Sequence, residues 1–539
     1  MKKLLMVLSL IAVVADVSAQ AQRISQWSAL SGPPTMPYED PLFKATTNGV
    51  EWTYRFVGDG VSLGGRRGGM HISATTDRRM IGDLVIPESL EGKPVREIGD
   101  WAFCGFIGFK SLTIPSSVKS IGTKAFDDCS NLESVTIPEG VTSIGAGAFE
   151  DCPRLESVTI PSSVTSIGNG AFARCSKLKS VTIKEGVASI SDHAFQECGG
   201  LESVSIPEGM ISIGKNAFAQ CFVLTSVTIP SSVTSIGKGA FVDCHALKSI
   251  DVNKANPTFV STNGLLCSKD GCRLVSGRNG DVTIPDGVTT IDDLAFSGLW
   301  LRSVTIPSSV TSLGASAFNG CCLKSLTIPS SVTSIGKGAF SQCGELESID
   351  VDSANQTFIS TNGLLCSKDG RLLIQGVNGD VTIPSNVTSI EGLAFYGRHN
   401  LKSVTIPPSV ASIGAEAFKG CLRLTSVVIP PSVTNIGDRA FAYCYELKSV
   451  RIMSRLTRVG YSAFWSCHKL KTIDVWGFRG SDPNGGVRVV GLCGNCGIMY
   501  AMRPLRNFKG LSRVRPQWWG SGGGVVRKLW YNVRYEAVA

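Results

Sequence analysis

The dipeptide Ala-Phe recurs fourteen times, with Phe at 103, 126, 149, 172, 195, 218, 241, 296, 318, 340, 395, 418, 441 and 464. Most spacings are 23 residues, two are 22 and two are 55. A fixed period of this length makes each copy one supersecondary unit that buries its apolar side chains only against its neighbours. A 539-residue chain is also longer than one hydrophobic core supports, and stacking resolves that difficulty.

The unit from Leu132 to Arg154 reads LESVTIPEGVTSIGAGAFEDCPR. Val135 and Ile137 alternate with Ser134 and Thr136, the period of a half-buried strand, and Pro138 ends it. Val141 and Ile144 form a second short apolar pair. Gly145, Ala148, Phe149 and Cys152 fit one or two turns of helix, with Gly, Ser or Asp at the first slot of most copies as an N-cap. The expected fold is a repeat solenoid, a right-handed leucine-rich-repeat array of β-strands and short helices over residues 84–475, with caps at both ends. Residues 22–83, rich in aromatics and glycine turns from residue 47, are the expected N-terminal cap, and residues 476–539 form a C-terminal segment.

Both 55-residue intervals hold the same insertion, FVSTNGLLCSKDGCRLVSG from Phe259 and FISTNGLLCSKDGRLLIQG from Phe358, within residues 253–280 and 352–379. Asp270-Gly271 and Asp369-Gly370 each separate two apolar runs, as in a hairpin that extends the sheet or projects from it. DVNKAN at Asp251 and DVDSAN at Asp350 have the acidic spacing of a calcium loop without its glycine and distal glutamate, and read as turns.

The pattern LxSVTIPxxVTSIGxxAFxxC, with its NGLLCSKDG hairpins, resembles the BspA-like leucine-rich-repeat family over about three quarters of the chain. That resemblance implies a bacterial surface protein adhering to host matrix proteins or other cells. It supplies no catalytic residues.

Eleven of the eighteen cysteines stand three residues after the repeated Phe, one per unit from Cys129 to Cys467, and are expected as buried free thiols. Cys493 and Cys496 form a CxxC outside that ladder, read as a local disulfide, with a metal or redox role as the alternatives. The five histidines are scattered, and His245 and His468, just after ladder cysteines, read as solvated. Hydrolase, metalloprotease and phosphate-loop motifs are absent, so neither an enzyme nor a cofactor or metal site is expected.

The outward strand residues are the better lead. Ser134, Thr136, Ser157, Thr159, Ser180 and Thr182 start parallel hydroxyl ladders, beside a variable column that includes Lys110, Glu133, Glu156, Lys179, Lys248, Lys448 and Lys471. Fourteen rungs about 4.8 Å apart give a ribbon roughly 65 Å long, suited to an extended protein or glycan partner; plain solubility is the competing reading.

Of the net charge of +9, ten basic and two acidic residues place +8 in residues 477–539. There Arg513, Arg515, Arg527 and Lys528 accompany Trp518, Trp519 and Trp530, a combination that suits attachment to anionic glycans, envelope surfaces or acidic proteins, or else a solvated cap. Nucleic acid is not an expected partner for an exported chain. Export itself is read from residues 1–21, where Lys2 and Lys3 precede an apolar run to Val14 and Ala19-Gln20-Ala21, a secretory signal too short to span a membrane. The mature chain is expected to be secreted or to sit at the bacterial surface, with no transmembrane segment.

Overall fold

The computed structural model describes residues 42–476 apart from 48–49, 68–69, 73–81 and 454–455, and adds strands at Gly486–Val490 and Tyr535–Ala537. The export segment, Cys493, Cys496 and the residues from Arg513 to Trp530 lie outside the described residues.

Each coil of the solenoid contributes two short strands to two different parallel sheets. Ser157–Ile160 pairs in parallel with Ser180–Ile183, Ser157 opposite Ser180 and Thr159 opposite Thr182, while Ser166–Ile167 pairs with Ser189–Ile190. Alternation sets the facing: Val158 and Ile160 are buried, Ser157 and Thr159 exposed. Proline after the first strand ends it at four or five residues, so the chain turns and re-enters the next coil in register.

The third side of each coil departs from the helix expected there: no helix occurs among the described residues. Ala148 N–H donates to Gly145 C=O and Glu150 N–H to Gly147 C=O, while Gly147, Phe149 and Asp151 donate to Asn169, Ala171 and Ala173 of the following coil. Every second amide is thereby committed sideways, so the ladder of bonds four residues back that defines an α-helix cannot form. Asp128, Asp151, Arg174 and Glu197 also hold φ between 54 and 61°, which interrupts helical backbone at the same point of each coil.

The glycine that opens this turn is not an N-cap. A Cβ on Gly168 would lie 2.6 Å from the carbonyl carbon of Gly145 and 2.7 Å from Ile144 O, so successive coils touch through backbone here. Capping falls one residue later, where Asp100, Asp192, Asp293 and Asp438 accept from the backbone of the next coil at 2.7–2.9 Å.

Inside, the repeated Phe rings form three parallel stacks, Phe103 to Phe241, Phe296 to Phe340 and Phe395 to Phe464, with centroids 4.7–5.8 Å apart and planes within 11°. Beside them runs the cysteine ladder. All sixteen described cysteines are free, and each of the eleven ladder thiols donates to the C=O of the preceding coil's Phe at 3.0–3.4 Å. The thiol therefore satisfies a buried carbonyl as well as filling space. Arg398 takes the same slot after the second insertion, fully buried, and its guanidinium donates to Phe340 O at 2.7 Å, Cys343 O at 3.1 Å and Gly376 O at 2.8 Å.

Each insertion is three strands, not one hairpin. Phe259–Thr262, Leu265–Ser268 and Arg273–Ser276 are antiparallel, and the third continues in parallel with Thr290–Ile291 of the next coil. The first turn is Asn263-Gly264, with φ of 54 and 77°, the geometry of a tight primed hairpin turn; Asp270-Gly271 makes the second. Gly264 O accepts from Ile250 N, so the hairpin tip docks on the edge of the first sheet. The second insertion repeats this at Phe358–Thr361, Leu364–Ser367 and Leu372–Gln375. DVNKAN and DVDSAN are turns built on Asn256 and Asn355, whose side chains are buried and bonded entirely to backbone.

At the N-terminal end Phe43–Thr47, Val50–Val57 and Gly60–Leu63 form an antiparallel set whose last strand joins Lys93–Ile98 in parallel, with Trp52 edge-on to Phe103. At the other end Thr472–Trp476 pairs antiparallel with Gly486–Val490.

Candidate binding surface

The first sheet presents one uncovered polar face. Ser134, Thr136, Ser157, Thr159 and Thr182 are exposed and aligned coil to coil: Ser111, Ser134, Ser157, Ser180 and Ser203 face one another along one row, Thr159, Thr182 and Ser205 along the next. The rows are not pure hydroxyl. Asp83, Asp281 and Asp380 begin successive stretches of this sheet and accept from Ser111, Ser303 and Ser403 at 2.5–2.7 Å, and Asp251 and Asp350 end the first two stretches.

The variable column lies at the strand entry, and backbone bonds such as Glu156 N to Glu133 O and Lys179 N to Glu156 O keep its members adjacent. Lys110, Glu156, Lys179, Lys248, Lys448 and Lys471 are exposed and Glu133 is half-buried. The early part is self-neutralised, Lys110 with Glu133 at 3.9 Å and Lys179 with Glu156 at 3.5 Å. From Lys248 onward the column is basic apart from Glu347 and Thr425, and Lys248, Arg302 and Lys324 have no carboxylate at ion-pair distance among the described residues.

One row escaped the sequence reading. His245 is not a solvated side chain: it stacks between Phe222, at 5.1 Å and 16°, and Trp300, at 5.6 Å and 15°. Its Nδ1 donates to Gly298 O at 2.6 Å, which fixes the ring. His468 stacks on Tyr445 in the same slot further along. Trp300 is 48% exposed. The signal was the slot after the ladder residue; 55 residues separate His245 from Trp300, which hides their adjacency.

The turn side carries a half-buried ionic row in which Lys124 meets Asp127 at 3.3 Å and Glu150 at 3.1 Å, and Arg174 meets Glu150 at 3.1 Å and Asp151 at 2.6 Å. Burial pushes the Asp127 carboxyl up to about 6 despite Lys124. A carboxyl raised in the folded chain contributes stability that is complete below its unfolded value of about 4 and is lost as pH rises through about 6. Asp127→Asn is therefore expected to raise the unfolding free energy at neutral pH by about 1 kcal/mol, measured by denaturant titration, and to flatten its fall between those pH values. A variant less stable than the parent at neutral pH would show that the Lys124 pair outweighs burial.

Among the described residues no group of three or more His, Cys, Asp or Glu is arranged to hold a metal, and no helix is long and apolar enough to cross a membrane. The family model described as a BspA type leucine rich repeat region matches residues 96–222, 165–264, 277–365 and 378–478. Among solved structures, a leucine rich cell surface protein from Faecalibacterium prausnitzii is 25% identical with a TM-score of 0.45, 82% of this chain and 96% of that one being covered. A leucine-rich repeat protein from Bacteroides ovatus is 26% identical with a TM-score of 0.42, covering 82% and 94%. The pneumococcal vaccine antigen PcpA is 21% identical with a TM-score of 0.41, covering 80% and 93%. No curated protein matches the chain.

Proposed function

The chain belongs to the BspA-type leucine-rich-repeat family, and on that premise we propose that it is an exported, non-catalytic, adhesin-like scaffold that binds an extended protein partner, such as a host matrix protein, on its strand face. The observation that carries this reading is the polar face of the first sheet, whose exposed Ser and Thr rows and charged column run coil after coil uncovered by any other described segment. Such a face is flat enough to meet a long partner and chemically varied only in its column, so the column sets selectivity. In this reading residues 1–21 direct export and are removed, the strands from Phe43 to Leu63 cap the first coil, and the basic aromatic segment 476–539 assists attachment.

The near-identical strands support a second reading, an architectural envelope protein without a specific ligand, since a recognition surface is expected to diversify. A binding screen against immobilised matrix proteins separates the two. The chain from residue 22 onward is compared with a version ending at Val475 and with a Ser157→Arg, Ser180→Arg variant that plants bulk on the exposed row, each at low and physiological salt. Saturable binding that survives truncation and falls about tenfold or more in the double variant places recognition on the strand face. Binding lost with the tail or with salt transfers it to the basic segment, and no binding by any form favours the architectural reading.

A further inference from the structure

The row of rings beside the strand face and the unpartnered cations next to it belong together. Phe222 lies flat because the preceding coil offers Gly199 there; a Cβ at Gly199 would come within 3.1 Å of the Phe222 ring. His245 is locked over Phe222 by its bond to Gly298 O, to which Nδ1–H donates, since a carbonyl only accepts. The Trp300 backbone is held by its N–H to Asn279 Oδ1 at 2.8 Å and its C=O from Gly280 N–H at 3.1 Å, and its exposed indole stacks on His245. The rings thus form a preorganised platform spanning two coil spacings, about 10 Å.

Strand register puts cations alongside. Lys248 enters its strand three residues after His245, Arg302 two residues after Trp300, and Lys324 follows one coil later. Among the described residues these are the first cations of the column without a carboxylate at ion-pair distance, and they begin where the stack lies. An apolar ring strip flanked by unpaired positive charge fits a ligand with flat, weakly polar faces and regularly spaced carboxylates. A sugar chain bearing uronic acids has both, and its disaccharide repeat is about as long as the strip.

We propose that Phe222, His245 and Trp300, with Lys248 and Arg302, form a binding strip for an acidic, uronate-containing polysaccharide. This rests on the reading of the solenoid as a binding scaffold and adds a second class of ligand, at a strip that shares the column members Lys248 and Arg302 with the strand face.

The test uses the full-length protein, titrated with polygalacturonate, hyaluronate, fully methyl-esterified polygalacturonate and polyglutamate. Both uronate polymers are expected to bind and the ester, which keeps the sugar rings without the charge, to bind markedly more weakly. Trp300→Ala is expected to cost about five- to tenfold in uronate affinity without moving the unfolding midpoint. Lys248→Gln with Arg302→Gln is expected to cost at least as much and to reduce the salt dependence. The proposal is overturned if neither uronate binds, if Trp300→Ala binds as tightly as the parent, or if polyglutamate binds equally well and loses as much with Trp300→Ala. Matrix-protein binding that persists when uronate binding fails would sink this strip and leave the scaffold reading intact.

Discussion

Phe172→Ala should lower the stability of its neighbourhood by about 3–5 kcal/mol, the cost of emptying a fully buried aromatic site. Phe172 has stacked rings on both sides, Phe149 at 5.3 Å and Phe195 at 5.5 Å, so its loss removes two ring contacts and leaves a gap between coils. In a stacked array the contacts between neighbours carry the cooperativity, so the variant is expected to unfold in two steps where the parent shows fewer. Phe464, partly buried and stacked on Phe441 alone at 5.4 Å, supplies the control: Phe464→Ala should cost less than half as much. Denaturant unfolding followed by hydrogen exchange measures both. Equal losses at the two sites would show that burial in one coil, not stacking between coils, sets the energy.

The second large effect is expected at Arg398. Removing its side chain takes the guanidinium donor from the buried carbonyls of Phe340 and Gly376, leaves that of Cys343 with the Leu346 N–H alone, and opens a cavity. Arg398→Ala is expected to cost about 3–5 kcal/mol. The first insertion shows what a donor-free solution looks like, because Leu299 is 2% exposed in the matching slot. Arg398→Leu restores the packing but not the hydrogen bonds, and about half the loss should remain. Exchange should accelerate first in the strands from Phe358 to Gln375, which Arg398 ties to the preceding coil through Gly376. If Arg398→Leu proves as stable as the parent, the carbonyls have found other donors and the arginine is only filler.

Spacing alone made the coil legible: the Phe column, the cysteine ladder and the inward Val and Ile all stand where their period puts them, because a strict repeat converts sequence position into place. The helix was misread for a physical reason. Gly145, Ala148 and Phe149 have helix-compatible composition, but amides that bond to the next coil leave no mark in one repeat, and the positive φ at Asp128 or Arg174 sits on residues that any turn tolerates. Asn263-Gly264, by contrast, was a readable hairpin signal overshadowed by Asp270-Gly271. On the surface, alternation exposed the hydroxyl rows in advance. The ring strip stayed hidden because stacking across an insertion joins residues by coil geometry rather than by period.

The two insertions are themselves ninety-nine residues apart at every matching position, Phe259 to Phe358 and Cys267 to Cys366, and so are the coils beside them, Phe241 to Phe340 and Phe296 to Phe395. An unequal exchange between the two stretches of coding sequence would delete or duplicate one such segment and leave a chain whose ladders still meet. The length of this protein can therefore change in whole panels between generations, each step moving the ends of the ribbon farther apart or closer together while every remaining coil keeps the neighbours it needs.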